Sequence, residues 1–300
     1  MTIPAGLSAF PITPTASNGD LDEIGLKRLV ARLVEVRVDS IGLLGSTGTY
    51  IYLTRQERRR ALEVAVGEAG GRTPILVGIG ALRTDDAVKL AQDAKAIGAV
   101  AGLLAPVSYI PLTDDEVFGH FVTVAHESSL PIVIYDNPGT THFRFTPELV
   151  GRLAKVPGIV GIKNPGGGSE ETARHLAEQR TLVPGSFSIG YSGDWYAAEA
   201  MIAGADVWHS VLGGLFPRPC QQIVKAARQG NADEARRVDA SLAPVWNLFK
   251  QFSSLRVVYA LADMMDICRG EPPRPILPLP GAARHQVAEM LKDLPSEITG

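Results

Sequence analysis

Lys163 and Tyr135 are the two side chains in this 300-residue chain placed best for chemistry. Each ends a short apolar run, Ile159-Val160-Gly161-Ile162-Lys163 and Pro131-Ile132-Val133-Ile134-Tyr135. Such runs read as strands buried on both faces. An ammonium group at the end of one either reaches for solvent or is held in a pocket for chemistry. A lysine amine attacks a ketone only when neutral. With an ordinary pKa of about 10.4, well under about 1% is neutral at pH 7. Desolvation at the mouth of a pocket can lower a lysine's pKa and supply the free base. The imine it forms, once protonated, draws electrons from the neighbouring carbon and stabilises a carbanion there. That carbon also needs a proton shuttle, and a tyrosine hydroxyl one strand away suits the task.

A third group belongs with these two. Gly45-Ser46-Thr47-Gly48-Thr49 follows another apolar run and offers backbone N–H groups and two hydroxyls to a carboxylate. Together the parts describe a class I lyase or aldolase acting on a 2-keto acid. Taken singly, each has a plainer reading. A strand-end lysine is often solvated, a strand-end tyrosine packs, and a Gly-Ser-Thr-Gly turn simply turns. Their coincidence on one rim makes the case.

The elements that must position them alternate strand and helix almost without a break. Strands are expected at Ser8–Phe10, Asp39–Leu44, Pro74–Gly78, Val100–Leu104, Pro131–Tyr135, Ile159–Lys163, Phe187–Ile189 and Asp206–Val211. Helices fall between them, two of them opened by the capping-box pairs Thr54/Glu57 and Thr113/Glu116. Eight strands, each followed by a helix, imply an α/β fold with a parallel sheet, closed as a TIM (β/α)8 barrel with a helical C-terminal extension. An open dinucleotide-binding sheet would want Gly-x-Gly-x-x-Gly after its first strand. The nearest string, Gly78-Ile79-Gly80-Ala81-Leu82-Arg83, lacks the third glycine and follows strand three. Residues 1–215 hold the barrel strands and most of its helices. Residues 216–300 hold the last barrel helix and the extension, with one long helix expected over Ala232–Gln251 and another near Arg284–Leu294.

Composition narrows the partners. The net charge is −3 and no basic run is interleaved with aromatics, so nucleic acid is not expected. No apolar stretch reaches the roughly 20 residues that span a membrane. The N-terminus shows no secretion signal, and Cys220 and Cys268 lie far apart, as suits a reducing cytoplasm. Six scattered histidines, of which only His209 sits at a strand end, give no metal-ligand cluster. Glycine-rich turns at Gly190–Gly193 and Gly213-Gly214 keep a phosphate-binding barrel open as a rival.

Gly-Ser-Thr-Gly after strand two, Tyr-x-x-Pro-Gly after strand five, Gly-Ile-Lys after strand six and Phe10-Pro11-Ile12-Thr13-Pro14 at the start resemble the dihydrodipicolinate synthase and N-acetylneuraminate lyase superfamily. The resemblance spans nearly the whole chain. It implies a Schiff base between Lys163 and pyruvate or a related 2-keto acid, with no cofactor beyond that covalent imine and no metal. It implies Tyr135 as general acid/base, Ser46 and Thr47 as the carboxylate turn with Thr47 also in the proton relay, and Tyr109 lent to a neighbouring subunit's relay. Gly48, Thr140 and Gly190 complete the expected substrate-binding set. The partners implied are a small keto acid, an aldehyde and copies of the same chain in a homotetramer or homodimer. Three departures stand out. Thr49 replaces a common glutamate, Thr140 stands where the true 4-hydroxy-tetrahydrodipicolinate synthase carries an arginine, and Asn164 follows the lysine where relatives often have glutamate. Arg144 lies four residues beyond Thr140. That synthase activity, and a non-catalytic keto-acid-binding or regulatory role, remain open alternatives at this level.

Overall fold

The structure, a computed structural model, describes residues 3–16 and 19–295. Strands β1 (Gly6–Ala9), β2 (Ser40–Leu43), β3 (Ile75–Gly78), β4 (Ala101–Leu104), β5 (Ile132–Tyr135), β6 (Ile159–Asn164), β7 (Ser188–Tyr191) and β8 (Val207–Ser210) pair in chain order, all parallel. β8 pairs back to β1 and closes the barrel. The expected barrel is therefore the observed one.

Alternation along each strand divides the side chains between two layers. Phe10, Leu76, Leu103, Val133, Tyr135 and Val207 form an inner cluster inside the barrel. Ile132, Ile134, Ile159 and Ile162 face outward into the larger core under the helices. Because both faces are covered, the strands read as continuous apolar runs rather than alternating ones. Gly190 lies within β7, two residues before its turn, and not in the loop that follows.

Helices α1 (Glu23–Val36), α2 (Arg55–Ala69), α3 (Thr84–Ile97) and α4 (Asp114–Ser128) follow the first four strands. Both expected capping boxes form, at Thr54/Glu57 and Thr113/Glu116. Each contributes about 1 kcal/mol to fixing where its helix begins. A short α5 (Pro138–Thr141) and α6 (Pro147–Leu153) lie between β5 and β6. Helices α7 (Ser169–Leu182), α8 (Ala197–Ile202) and α9 (Pro217–Arg228) complete the repeats. No helix among the described residues is long and apolar enough to cross a membrane.

The extension differs from expectation in one respect. The single helix over Ala232–Gln251 is two, α10 (Ala232–Ser241) and α11 (Ala243–Phe252). Pro244 lies in the first turn of α11. Proline has no N–H and its ring clashes with the preceding turn, so it starts a helix rather than continuing one. Ser253, at φ 72°, then separates α11 from α12 (Ser254–Met264), and α13 (Gly281–Asp293) follows. The Tyr259 hydroxyl on α12 donates to the Thr13 carbonyl at 3.0 Å. This bond ties the extension to the loop after β1, at the carboxyl end of the barrel.

That end is crowded. Leu44 leaves β2 in the left-handed region, at φ 54°, and its carbonyl oxygen occupies the space a side chain at Gly78 would need. Arg58, buried on α2, donates to the carbonyls of Gly78 at 2.8 Å and Gly80 at 3.0 Å. The end of β3 is thus held from both sides. Gly78→Ala is expected to cost on the order of 3 kcal/mol or more through overlap with Leu44. Gly67→Ala, in α2 with nothing within 4 Å, should stabilise by about 1 kcal/mol. Urea denaturation of the two variants checks the contrast, and equal midpoints would contradict it.

Candidate active site

Parallel pairing sets Tyr135 of β5 directly beside Lys163 of β6, and Lys163 beside Gly190 of β7. Lys163 points into the barrel mouth and is 5% exposed. Its Nζ lies 3.8 Å from the centroid of the Tyr135 ring and 5.8 Å from that of Phe10. No ion pair to a carboxylate forms on it among the described residues. The amine is therefore surrounded by aromatic faces, which stabilise a cation by about 0.5–2 kcal/mol each and take no proton from it.

The Tyr135 hydroxyl is 2.9 Å from Ser46 Oγ. Asn137 Nδ2 donates to both oxygens, at 3.1 Å to Tyr135 and 3.3 Å to Ser46. A fixed donor above a pair of hydroxyls leaves one proton to pass between them, which is the arrangement a relay requires. The hydroxyl that meets Tyr135 is that of Ser46, not that of Thr47. Thr47 lines the same cavity but makes no side-chain hydrogen bond to Tyr135. The reason lies in the turn. Thr49 N–H bonds back to the Ser46 carbonyl at 3.1 Å, and Gly48 presses on the Leu44 backbone, where a Cβ would come within 2.9 Å. In so tight a turn consecutive side chains point in different directions. Thr49 itself is β-branched at φ 53°, a conformation costing about 1–3 kcal/mol.

These groups surround a cavity of about 180 Å³ that Phe10, Asp194 and His209 also line. His209 is buried, edge-on to Phe10 with ring centroids 5.6 Å apart. Burial, with the Lys163 charge added, holds its imidazole well below the usual histidine range and hence neutral. Asp194 accepts from Trp208 Nε1 at 3.0 Å, Val211 N at 3.2 Å and Leu212 N at 2.7 Å. It ties the turn after β7 to the end of β8. Burial raises its pKa, and these hydrogen bonds oppose the rise. Gly190, expected to bind substrate, does not line the cavity. A Cβ there would come within 2.5 Å of His209 Nε2, so Gly190 makes room for that ring.

A second cavity of about 400 Å³ adjoins the first and shares Ser46, Thr47 and Ser254 with it. Thr140, in the turn of α5, stands on its wall, as do Ser253 and Leu255 from the extension. Arg144 does not reach it. It lines a separate cavity of about 370 Å³ beside Asp136, Arg174 and Tyr191. Asn164 is also outside the site. It faces away from the barrel axis and exchanges amide hydrogen bonds with Gln179 on α7, at 2.9 and 3.1 Å. Tyr109, on the loop after β4, is 94% exposed and touches none of these groups within the chain.

The family model described as the dihydrodipicolinate synthetase family matches residues 3–294. The 4-hydroxy-tetrahydrodipicolinate synthase of Methylococcus capsulatus is 36% identical over 253 residues, covering 84% of this chain and 86% of that one. A crystal structure of dihydrodipicolinate synthase from Agrobacterium tumefaciens superimposes with TM-score 0.94 at 52% identity, covering 97% and 98% of the two chains. The chloride-inhibited dihydrodipicolinate synthase of Acinetobacter baumannii, complexed with pyruvate, superimposes with TM-score 0.90 at 28% identity, covering 98% and 99%.

Asp136, next to Tyr135 but facing away from the barrel, yields a test of its own. Burial pushes its carboxyl up to about 6, against the Phe145 backbone N–H and the charges of Arg144 and Lys163. The folded state binds the proton more tightly than the unfolded chain, whose value is 3.8. Stability from this group is therefore present below about pH 4 and lost as pH rises through 6. At about 1.4 kcal/mol per pH unit, the loss is on the order of 3 kcal/mol. Asp136→Asn should gain stability over the parent as pH goes from 4 to 7, measured by denaturation at both pH values. A constant difference would remove the assignment.

Proposed function

The chain belongs to the dihydrodipicolinate synthetase family, a family of class I lyases, and on that premise we propose that Lys163 forms an imine with pyruvate or a related 2-keto acid. The observation that carries the reading is the cluster of Tyr135, Ser46 and Asn137 hydrogen-bonded beside an amine 3.8 Å from the tyrosine ring. The neutral amine attacks the ketone carbon and water leaves. The Ser46–Thr47 turn receives the carboxylate. The protonated imine acidifies the adjacent carbon, and Tyr135 takes its proton and passes it along Ser46. No metal or further cofactor enters this scheme, because the iminium itself is the electron sink.

Oligomerisation forms part of the proposal. Ile51, Tyr52, Leu82, Tyr109 and Ile110 are large apolar side chains exposed on the loops after β2, β3 and β4. A cluster of this kind marks a protein-contact surface. A second copy seated there, in a homodimer or homotetramer, would bring Tyr109 toward the neighbouring relay.

Incubation with pyruvate and borohydride, followed by peptide mass mapping, should place a reduced adduct on Lys163. Absence of an adduct with pyruvate and with other 2-keto acids would end the proposal. Tyr135→Phe should lower turnover by about 10²–10⁴-fold while the adduct still forms; full activity in that variant would remove Tyr135 from its role. In sedimentation, the parent protein should run as a dimer or tetramer and Ile110→Asp should shift it toward the monomer. A parent that runs as a monomer would overturn the shared-tyrosine arrangement.

A further inference from the structure

The two joined cavities differ in charge. The first holds Lys163, and its one carboxylate, Asp194, is engaged by three N–H groups. The second, of about 400 Å³, has no Lys, Arg, His, Asp or Glu on its walls among the described residues. Its polar groups are hydroxyls, including those of Thr47, Thr140, Ser253 and Ser254, set among Leu255 and Ile276. The nearest arginine in sequence, Arg144, belongs to the separate cavity beside Asp136. Among the described residues that line the pair, Lys163 is then the only cation, and imine formation commits its nitrogen to the keto acid.

We infer that the second reactant, the aldehyde added in condensation or released in cleavage, is uncharged and carries hydroxyl groups. This deepens the Schiff-base reading of Lys163 and rests on it. A carboxylate entering the second cavity would leave water and meet no cation, which costs several kcal/mol. An ammonium would meet no carboxylate. Hydroxyls on a short carbon chain find partners instead. Thr140 already donates to the Asn137 carbonyl at 3.2 Å, while Ser253 and Ser254 make no side-chain hydrogen bond among the described residues.

The step balances without an added oxidant or reductant. The enamine carbon of the lysine-bound keto acid attacks the aldehyde carbon, and the carbon–carbon bond forms. The aldehyde oxygen takes the proton that Tyr135 removed from the keto acid. Water then hydrolyses the iminium, releasing a 4-hydroxy-2-keto acid and restoring the Lys163 amine. Cleavage is the same sequence reversed.

The test supplies the purified protein with pyruvate and one of four aldehydes: glyceraldehyde, benzaldehyde, succinate semialdehyde or aspartate semialdehyde. Aldehyde-dependent loss of pyruvate is followed and the product is identified by mass. Glyceraldehyde should exceed both charged aldehydes in kcat/KM by about 100-fold or more. Thr140→Arg should narrow the gap to aspartate semialdehyde by about 10-fold, by supplying the missing cation. The inference fails if a charged aldehyde matches glyceraldehyde, if benzaldehyde surpasses it, or if the gap is unmoved in Thr140→Arg. Borohydride trapping with pyruvate alone separates the two levels. No adduct defeats the Schiff-base reading itself, whereas an adduct without reaction of glyceraldehyde defeats only this inference.

Discussion

The constraint on which the site depends is a lysine amine buried against aromatic rings, with no ion pair to a carboxylate among the described residues. Burying such a group costs several kcal/mol, and two cation–π contacts return only part of that. Lys163 is held there by the barrel rather than by an ion pair. Strand pairing sets it beside Tyr135 and Gly190, and alternation along β6 turns it inward. In the cavity itself, His209 lacks charge and the Asp194 carboxyl is engaged by N–H donors.

Crowding makes this arrangement rigid. Phe10 lies across the barrel mouth in space that a side chain at Gly42 would fill, and His209 lies in space that one at Gly190 would fill. Large rings on one strand are paired with missing side chains on the next. The strained turn after β2 works in a similar way. Leu44 and Thr49, both at positive φ, bracket Ser46 and Thr47 and aim Ser46 at the tyrosine hydroxyl. Close packing of this kind leaves few alternative positions for the reacting groups.

Much of this is legible in the sequence itself. Buried parallel strands announce themselves as short apolar runs, and the residues that end them fall on one rim by the rules of the fold, so Lys163 and Tyr135 were found together. The limits of the reading follow from physics as well. Ser46 and Thr47 are neighbours in a turn whose direction depends on two left-handed residues, and no periodicity encodes which one meets Tyr135. Asn137 follows Tyr135 by two, so alternation would have placed it on the inner side had the strand been extended past its end. Gly190 reads as a loop glycine in the sequence because the apolar run Phe187-Ser188-Ile189 ends before it, whereas β7 runs on to Tyr191. Pro244 marked the break between α10 and α11, but the apolar spacing on both sides of it masked that signal. The contribution of Ser253, Ser254 and Leu255 depends on how the extension docks, which local sequence does not contain.

That docking has a consequence for how such a protein can change. Lys163, Tyr135 and the Ser46–Thr47 turn all come from β2, β5 and β6 and their loops. Part of the wall of the adjoining cavity comes from residues 253–276, which are synthesised after every strand of the barrel. The half of the site around Lys163 and this part of the wall therefore belong to different stretches of the chain. Substitutions around Ser253 can reshape the second cavity without moving β6. Inheritance can thus hold the barrel half of the site constant while it alters the shape of the cavity beside it.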